Sequence, residues 1–458
     1  MNHDVYVLIP GITGSVLQKD GHDVFGLTAG AGLRALFTGG GSLRHLRIAE
    51  DPPEADDLGD GIRAGRLAAD AHLIPGLWKI DGYGKVSDYL RQRLRLKPGE
   101  SYFEFPYDWR RDNRVAARQL AARAGDWLRA RQAAYPDARL VLVAHSMGGL
   151  VSRYYLEVLG GWRDTRALVT FGTPYRGSLN ALDFLASGLT AMRGLVDLSD
   201  LMRSFTSIYQ LLPIYRCLDQ GDGTLVRLIE APGLIPALDP VRVAAARAFH
   251  REIEDAVDRH LNDTDYREHR YKIYSVAGIE QPTNQSAAWR DGRVRILRSY
   301  AGEDLGGDGT VPRVSAFPQE ADDDSGAMFA ATRHASLQNT DAVLTQVRGW
   351  MTGVKLGSFR AGAPITLSLD LADVYPADGE VRATVRPSAA TGGLLATLEW
   401  VAGPQPPAEA IAVPLPAQDG PRAIEIRPPA PGCYRLTVSG AEDVEPVADL
   451  RQFVVTPV

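Results

Sequence analysis

The stretch Leu140-Val-Leu-Val-Ala-His-Ser-Met-Gly-Gly149 constrains this chain more than any other feature. Leu140 to Val143 is an apolar run of strand length. Small residues on both sides of His145-Ser146-Met147 let a buried strand turn sharply into a helix beginning around Gly149 and running to Leu156. A serine on such a turn has a strained backbone and an exposed hydroxyl, the setting of an acyl-attacking nucleophile. Ala144 stands where that pattern usually has its first glycine. The competing reading is a strand-turn-helix with an incidental serine, and the rest of the sequence decides between them.

A serine nucleophile needs a base to take its proton and an acid to orient that base. In α/β-hydrolases the partners follow in the order Ser, Asp or Glu, His. Gly306-Gly307-Asp308-Gly309-Thr310-Val311-Pro312 is a glycine-rich loop suited to present a carboxylate, downstream of a candidate strand, Tyr271 to Gly278. His334 comes next, before a candidate helix over Asp341 to Trp350. Order and setting both point to a Ser146-Asp308-His334 triad.

The oxyanion that forms during acyl transfer needs two backbone amides, one on the residue after the nucleophile. That residue is Met147. The apolar strand Val5 to Ile9 runs straight into Pro10-Gly11-Ile12-Thr13-Gly14-Ser15, whose glycines allow close backbone approach, so Ile12 N–H is the second candidate. Gly11 and Gly14 as plain turn residues is the alternative.

Five blocks now stand in order: Pro10-Gly-Ile-Thr-Gly-Ser15, Phe105-Pro-Tyr-Asp-Trp-Arg110, Ala144-His-Ser-Met-Gly-Gly149, Gly172-Thr-Pro-Tyr-Arg-Gly-Ser178 and Gly307-Asp-Gly-Thr-Val311. In this the chain resembles the lecithin:cholesterol acyltransferase family, which includes lysosomal phospholipase A2, over roughly residues 4–352. The resemblance implies an α/β-hydrolase fold and acyl-ester chemistry on lipids. It also implies the Ser146-Asp308-His334 triad, with Ile12 and Met147 amides in the oxyanion hole. Two departures stand out. Extracellular members tie a lid with a disulfide, whereas no cysteine here precedes Cys217, and Ile12 replaces a residue that is often acidic.

Tyr107 and Trp109 read either as a structural clamp beneath the site or as substrate contacts. The Gly172 to Gly177 loop should lie on the crevice rim, which makes Tyr175 and Arg176 candidate substrate contacts, Arg176 for a phosphate headgroup or as a solvated charge. His250 and His260 sit among charges and read as a solvated helix, and neither a metal nor any other cofactor is expected.

At 458 residues the chain exceeds one average domain, and 45% hydrophobic residues supply full cores. A net charge of −6 without basic runs gives no reason to expect nucleic acid. Two cysteines make no disulfide framework, and no signal-like or bilayer-length apolar segment stands out, so the expectation is a cytoplasmic protein, peripheral to membranes at most.

The expected architecture is α/β: an α/β-hydrolase domain over 1–355 with a lid near 22–76 and a helical cap near 179–270. A small immunoglobulin-like β-sandwich over 356–458 follows, inferred from alternating short strands between Pro- and Gly-rich turns. The lid includes a loose segment from Gly26 to Gly41 and an acidic stretch from Glu50 to Asp60. The leading functional expectation is a serine lipase or phospholipase acting on a lipid or membrane-surface substrate. Alternatives are a lipid O-acyltransferase, a small-ester carboxylesterase, a partner-regulated membrane-damaging effector, and a non-catalytic scaffold. The β-sandwich is the expected site for any protein partner.

Overall fold

The structure is a computed structural model. It describes residues 3–25, 43–68, 72–74, 78–188, 190–191, 196–197, 199–321, 327–353, 365–372, 374–376, 380–402, 409–428, 430, 432–441 and 443–454. The Gly26 to Gly41 part of the expected lid lies outside the described residues.

Six strands form the central sheet: β1 (Val5–Ile9), β2 (Tyr102–Glu104), β3 (Leu140–His145), β4 (Thr165–Phe171), β5 (Lys272–Gly278) and β6 (Met328–Ala330). Their order is β6-β5-β4-β3-β1-β2, and every neighbouring pair is parallel. A parallel sheet is covered on both faces, which is why β1 and β3 are apolar at nearly every position and buried throughout. Alternate residues serve opposite cores. Val5, Val7, Ile9, Leu140, Leu142 and Ala144 join the larger one, and Tyr6, Leu8, Val141 and Val143 the other. Burying each large aliphatic side chain contributes about 1.5–3 kcal/mol.

Helices α1 (Gly84–Arg93), α2 (Asn113–Gln132), α3 (Met147–Arg153), α4 (Leu179–Ser187), α5 (Pro240–Leu261) and α6 (Asp341–Thr352) cover the sheet and build the cap. Val86 and Leu90 of α1 pack with Val343, Leu344 and Val347 of α6 on one face, and Leu120 and Leu128 of α2 lie on the other. The starts of α2 and α5 are fixed by side-chain caps from Asp112 and Asp239, with Pro240 opening α5. The chain leaves β1 for β2 on one side and then crosses to β3 on the other. Ligand crevices open at such a switch point, beyond the carboxyl ends of the strands. The loop after β1 and the turn after β3 both lie there.

The described part of the expected lid can be placed, and the expectation for His250 needs correction. Part of the lid region is regular structure, since His22–Phe25 and Ile62–Leu67 pair with Ser15–Lys19. The acidic stretch is pinned as well: Asp51 pairs with Arg111 at 2.9 Å, Asp56 with Arg118 at 3.1 Å and Asp60 with Arg110 at 2.9 Å. His250 is no solvated charge. It is buried on the α5 face that carries Phe249, Ile253 and Val257, and its Nε2 lies 2.8 Å from the Gln210 carbonyl.

Beyond Ile365, two further sheets enclose a core of their own. One contains β7 (Leu367–Leu371), β9 (Val381–Pro387) and β12 (Arg422–Ile426). The other contains β8 (Val374–Pro376), β10 (Leu394–Ala402), β11 (Ile411–Leu415), β13 (Gly432–Ser439) and β14 (Val447–Val454). All pairings are antiparallel except β8 with β14. Cys217 and Cys433 are both buried, and neither is in a disulfide. No helix of the described residues is long and apolar enough to cross a membrane.

Candidate active site

Ser146 follows β3 with φ 52 and ψ −124, outside the basins open to L-residues. Such a backbone costs on the order of 1–3 kcal/mol and persists only where its surroundings over-determine it. Here they do. Ser146 N–H donates to Phe171 O at 2.8 Å, and Ser146 O accepts from Gly149 N and Thr173 Oγ1, both at 3.0 Å. Gly148 is required by close approach, because a Cβ there would lie 2.4 Å from Pro10 O. The loop after β1 therefore touches the start of α3.

His334 Nε2 lies 3.0 Å from Ser146 Oγ, and His334 Nδ1 lies 2.7 Å from Asp308 Oδ2. The other carboxylate oxygen accepts from Thr310 N at 2.9 Å and Val311 N at 2.6 Å, so the glycine-rich loop fixes the carboxylate plane. His334 N–H donates to Asp308 O at 2.8 Å, coupling the two loops through backbone as well. All three residues are buried. Gly172 makes room for the pair: its φ is +54, and a Cβ would lie 2.8 Å from both Asp308 Oδ2 and His334 Nδ1. The structure thus brings together the three residues singled out in the sequence. Ser146 is hydrogen-bonded to a base whose other nitrogen meets a carboxylate, the arrangement that can deprotonate a hydroxyl during attack.

Ile12 sits in the loop after β1, which closes on Ser146 at Gly11, and Met147 directly follows Ser146. Met147 is the first residue of α3, where an N–H has no intrahelical acceptor. In the facing loop, Gly11 N–H is taken by Tyr83 Oη at 2.8 Å and Gly14 N–H by Gly11 O at 3.0 Å. Ile12 N–H donates to no described group.

Tyr107 and Trp109 are buried and face the same loop. Tyr107 Oη donates to Pro10 O at 3.0 Å, Tyr107 N donates to Ser15 Oγ at 3.0 Å, and Trp109 Nε1 donates to Ser15 O at 3.1 Å. Their polar atoms bracket the loop and are not presented to a substrate. Tyr175 is likewise buried, its Oη 3.0 Å from Thr170 Oγ1. Arg176 is half-buried, donates its N–H to Ser315 Oγ at 3.1 Å and lines a small cavity of about 40 Å³ with Tyr175, His250 and Glu320. None of these four is hydrogen-bonded to the triad.

Sequence reasoning missed Tyr83 and the hydrogen bonds of His145. His145 Nδ1 lies 2.9 Å from Tyr83 Oη, and its Nε2 lies 3.1 Å from His334 O. Burial first, and the proximity of His334 second, push the His145 pKa down to about 3. A neutral imidazole fits the network as an acceptor at Nδ1 and a donor at Nε2. The available signal was a lone polar ring ending an otherwise apolar, fully buried strand.

Residues 80–240 match the family model described as lecithin:cholesterol acyltransferase. That stretch is lecithin:cholesterol acyltransferase-like. The match supports an ester hydrolase or acyltransferase of this kind. The acyltransferase-like stretch contains Tyr107, Trp109, Ser146, Met147, Tyr175 and Arg176, while Ile12, Asp308 and His334 lie outside it. No curated protein matches the sequence. The Bacillus licheniformis lipase BlEst2 in its mature form is similar at 14% identity and TM-score 0.35, covering 76% of this chain and 91% of that one. Its propeptide form is similar at 12% identity and TM-score 0.37, covering 98% and 92%. At such scores neither likeness bears on the reading below.

Proposed function

We propose that this protein is a serine hydrolase that cleaves acyl esters of lipids, with phospholipids as the favoured substrate class. The observation that carries the reading is the continuous hydrogen-bonded line from Ser146 Oγ through His334 to Asp308, at 3.0 and 2.7 Å. The lipid assignment rests on the acyltransferase-like match over 80–240.

In the proposed reaction Ser146 Oγ attacks the ester carbonyl while His334 Nε2 takes the hydroxyl proton. Asp308 holds the Nδ1–H tautomer and stabilises the imidazolium. The carbonyl electron pair moves onto oxygen, where the Ile12 and Met147 amides donate to it. Collapse expels the alkoxide, which takes the proton from His334. Water then attacks the acyl-enzyme by the same route, releasing the acid; a lipid alcohol in place of water gives a new ester.

We also read residues 356–458 as an immunoglobulin-like domain beside a hydrolase domain over 1–355. Two sheets of strand order β7-β9-β12 and β8-β14-β13-β10-β11 support this, as does the Tyr434 hydroxyl on β13, which donates to Ala430 O at 2.8 Å.

The test is incubation of wild type and Ser146→Ala with mixed-phospholipid liposomes, products being followed by lipid mass spectrometry. Fatty acid and lysophospholipid from wild type alone support the phospholipase. A new acyl ester indicates a transferase. Turnover of soluble short-chain esters with none of liposomes indicates a carboxylesterase and overturns the lipid assignment.

A further inference from the structure

We infer that the C-terminal β-module braces the acid–base half of the active site through three positioning residues, Arg333, Gln281 and Asp81. This inference rests on the triad reading above. His334 lies just beyond β6, an edge strand of only three residues. Sheet neighbours hold Ser146 on both sides, but among the described residues no further strand of the central sheet flanks the segment from Ala331 to Ala335. The module supplies the missing support at three points.

Arg333 immediately precedes the base. Its guanidinium pairs with Asp449 on β14 and donates to the Leu369 carbonyl on β7. It also covers the acid loop, since a Cβ on Gly309 would meet Arg333 Nη2 at 3.3 Å. One planar cation, next to the base in the chain, thus touches the loop of the acid and both sheets of the module. The Arg333 side chain is 12% exposed and that of Asp449 is 1% exposed. Removing one partner of so enclosed a pair leaves a desolvated charge uncompensated, so the loop and the module are held to one mutual position.

Gln281 makes the second link. Its backbone N–H donates to Gly307 O at 3.0 Å, beside Asp308. Its side-chain Nε2 donates to Ala331 O at 3.3 Å and Leu367 O at 3.0 Å, and its Oε1 accepts from Leu369 N at 3.2 Å. A buried amide is inserted along the edge of β7 much as a strand residue would be, while the same side chain holds the approach to His334.

Asp81 is the third link. Its carboxylate pairs with Arg435 on β13, and its N–H donates to Ala335 O at 3.0 Å. The three links converge on residues 307–309 and 331–335. A fourth junction pair, Arg298–Asp370 at 3.1 Å, is half exposed and touches neither loop. It serves as a control.

The test uses the full chain, a fluorophosphonate probe and p-nitrophenyl butyrate. In Asp449→Asn and Arg333→Lys the probe should label Ser146 about tenfold or more slowly, and kcat should fall equally with KM changed less than about twofold. Near-UV circular dichroism should stay native. Asp370→Asn should match wild type throughout. Arg333→Lys retains the charge and decides the matter if Asp449→Asn does not fold. Wild-type labelling rates in both variants, or an equal loss in Asp370→Asn, overturn the inference alone. Failure of wild-type Ser146 to label overturns the triad reading, and this inference with it.

Discussion

Tyr83 Oη lies 2.9 Å from His145 Nδ1 and accepts the Gly11 N–H at 2.8 Å, so one phenol joins the loop after β1 to the strand that carries Ser146. Burial raises the Tyr83 pKa, which keeps its proton available for His145. Because His145 in turn reaches His334 O, the oxyanion side and the base side of the site share one buried polar strut.

Tyr83→Phe cuts this strut with little change of shape. It leaves the Gly11 amide and His145 Nδ1 buried without partners, at a stability cost of about 1–3 kcal/mol for each unsatisfied group. The loop that carries Ile12 loses one of its anchors, so kcat should fall by about tenfold or more while KM changes little. Steady-state ester hydrolysis alongside thermal melting separates the two effects. An unchanged kcat with a lowered Tm would leave Tyr83 a purely structural role.

Asp308→Asn should be far more damaging than its size suggests. Oδ1 accepts two backbone amides, from Thr310 and Val311, so the carboxamide oxygen will occupy that position and its NH2 will face His334. That NH2 donates to Nδ1 and forces the proton onto Nε2, the nitrogen that must accept from Ser146. The expected loss in kcat is roughly 10³–10⁴-fold with the fold retained. Imidazole nitrogen chemical shifts of the variant should report the reversed tautomer.

Gly172→Ala tests the space the triad needs. The added methyl would press on both Asp308 Oδ2 and His334 Nδ1 from 2.8 Å, at a backbone φ of +54 that L-residues rarely adopt. Displacing either group by about 1 Å is worth roughly 10² in rate. Fluorophosphonate labelling at the wild-type rate would show that the loop absorbs the methyl elsewhere.

Stability should fall on mild acidification. Burial holds His145 at a pKa of about 3 and His250 at about 4, against an ordinary value of 6.5. Between those values and 6.5 the unfolded chain binds protons that the folded chain excludes, so stability rises with pH and is lost as pH falls through that window. For His250 alone the loss on reaching pH 4 is on the order of 3 kcal/mol. His250 faces the Gln210 carbonyl, with Arg247 and Arg114 nearby. His250→Gln keeps a donor for that carbonyl and does not titrate. Its Tm should therefore decline less than that of wild type between pH 6.5 and 4. Parallel profiles would exclude His250 as a source.

The parts of the site that were legible in the sequence are those written locally. The apolar run of β3, the small residues of the elbow and the glycines around Asp308 each state a backbone requirement within a few positions. The strut was not legible, because Tyr83, His145 and Gly11 meet only through tertiary packing. The partners of the acidic stretch were hidden for the same reason. Asp51, Asp56 and Asp60 meet Arg111, Arg118 and Arg110 only in the folded chain, across some 50 to 62 positions of sequence. His250 sits among charged residues in the chain, but α5 turns its charged face outward and takes the imidazole inside. Strands β8 and β11 are a short Pro-ended run and an alternation broken by Pro414, and β14 reads Val-Ala-Asp-Leu-Arg-Gln-Phe-Val without alternation, so these were the least legible strands of the module.

The two outer strands of the central sheet, β2 and β6, are each only three residues long. Each offers few unpaired amides and carbonyls to a passing chain, and β2 ends in the exposed charge of Glu104. A sheet made of near-continuous apolar strands would be a dangerous template if its borders were long and flat. Here the hydrophobic strands are confined to the middle, and the borders discourage the cross-chain pairing that leads to aggregation.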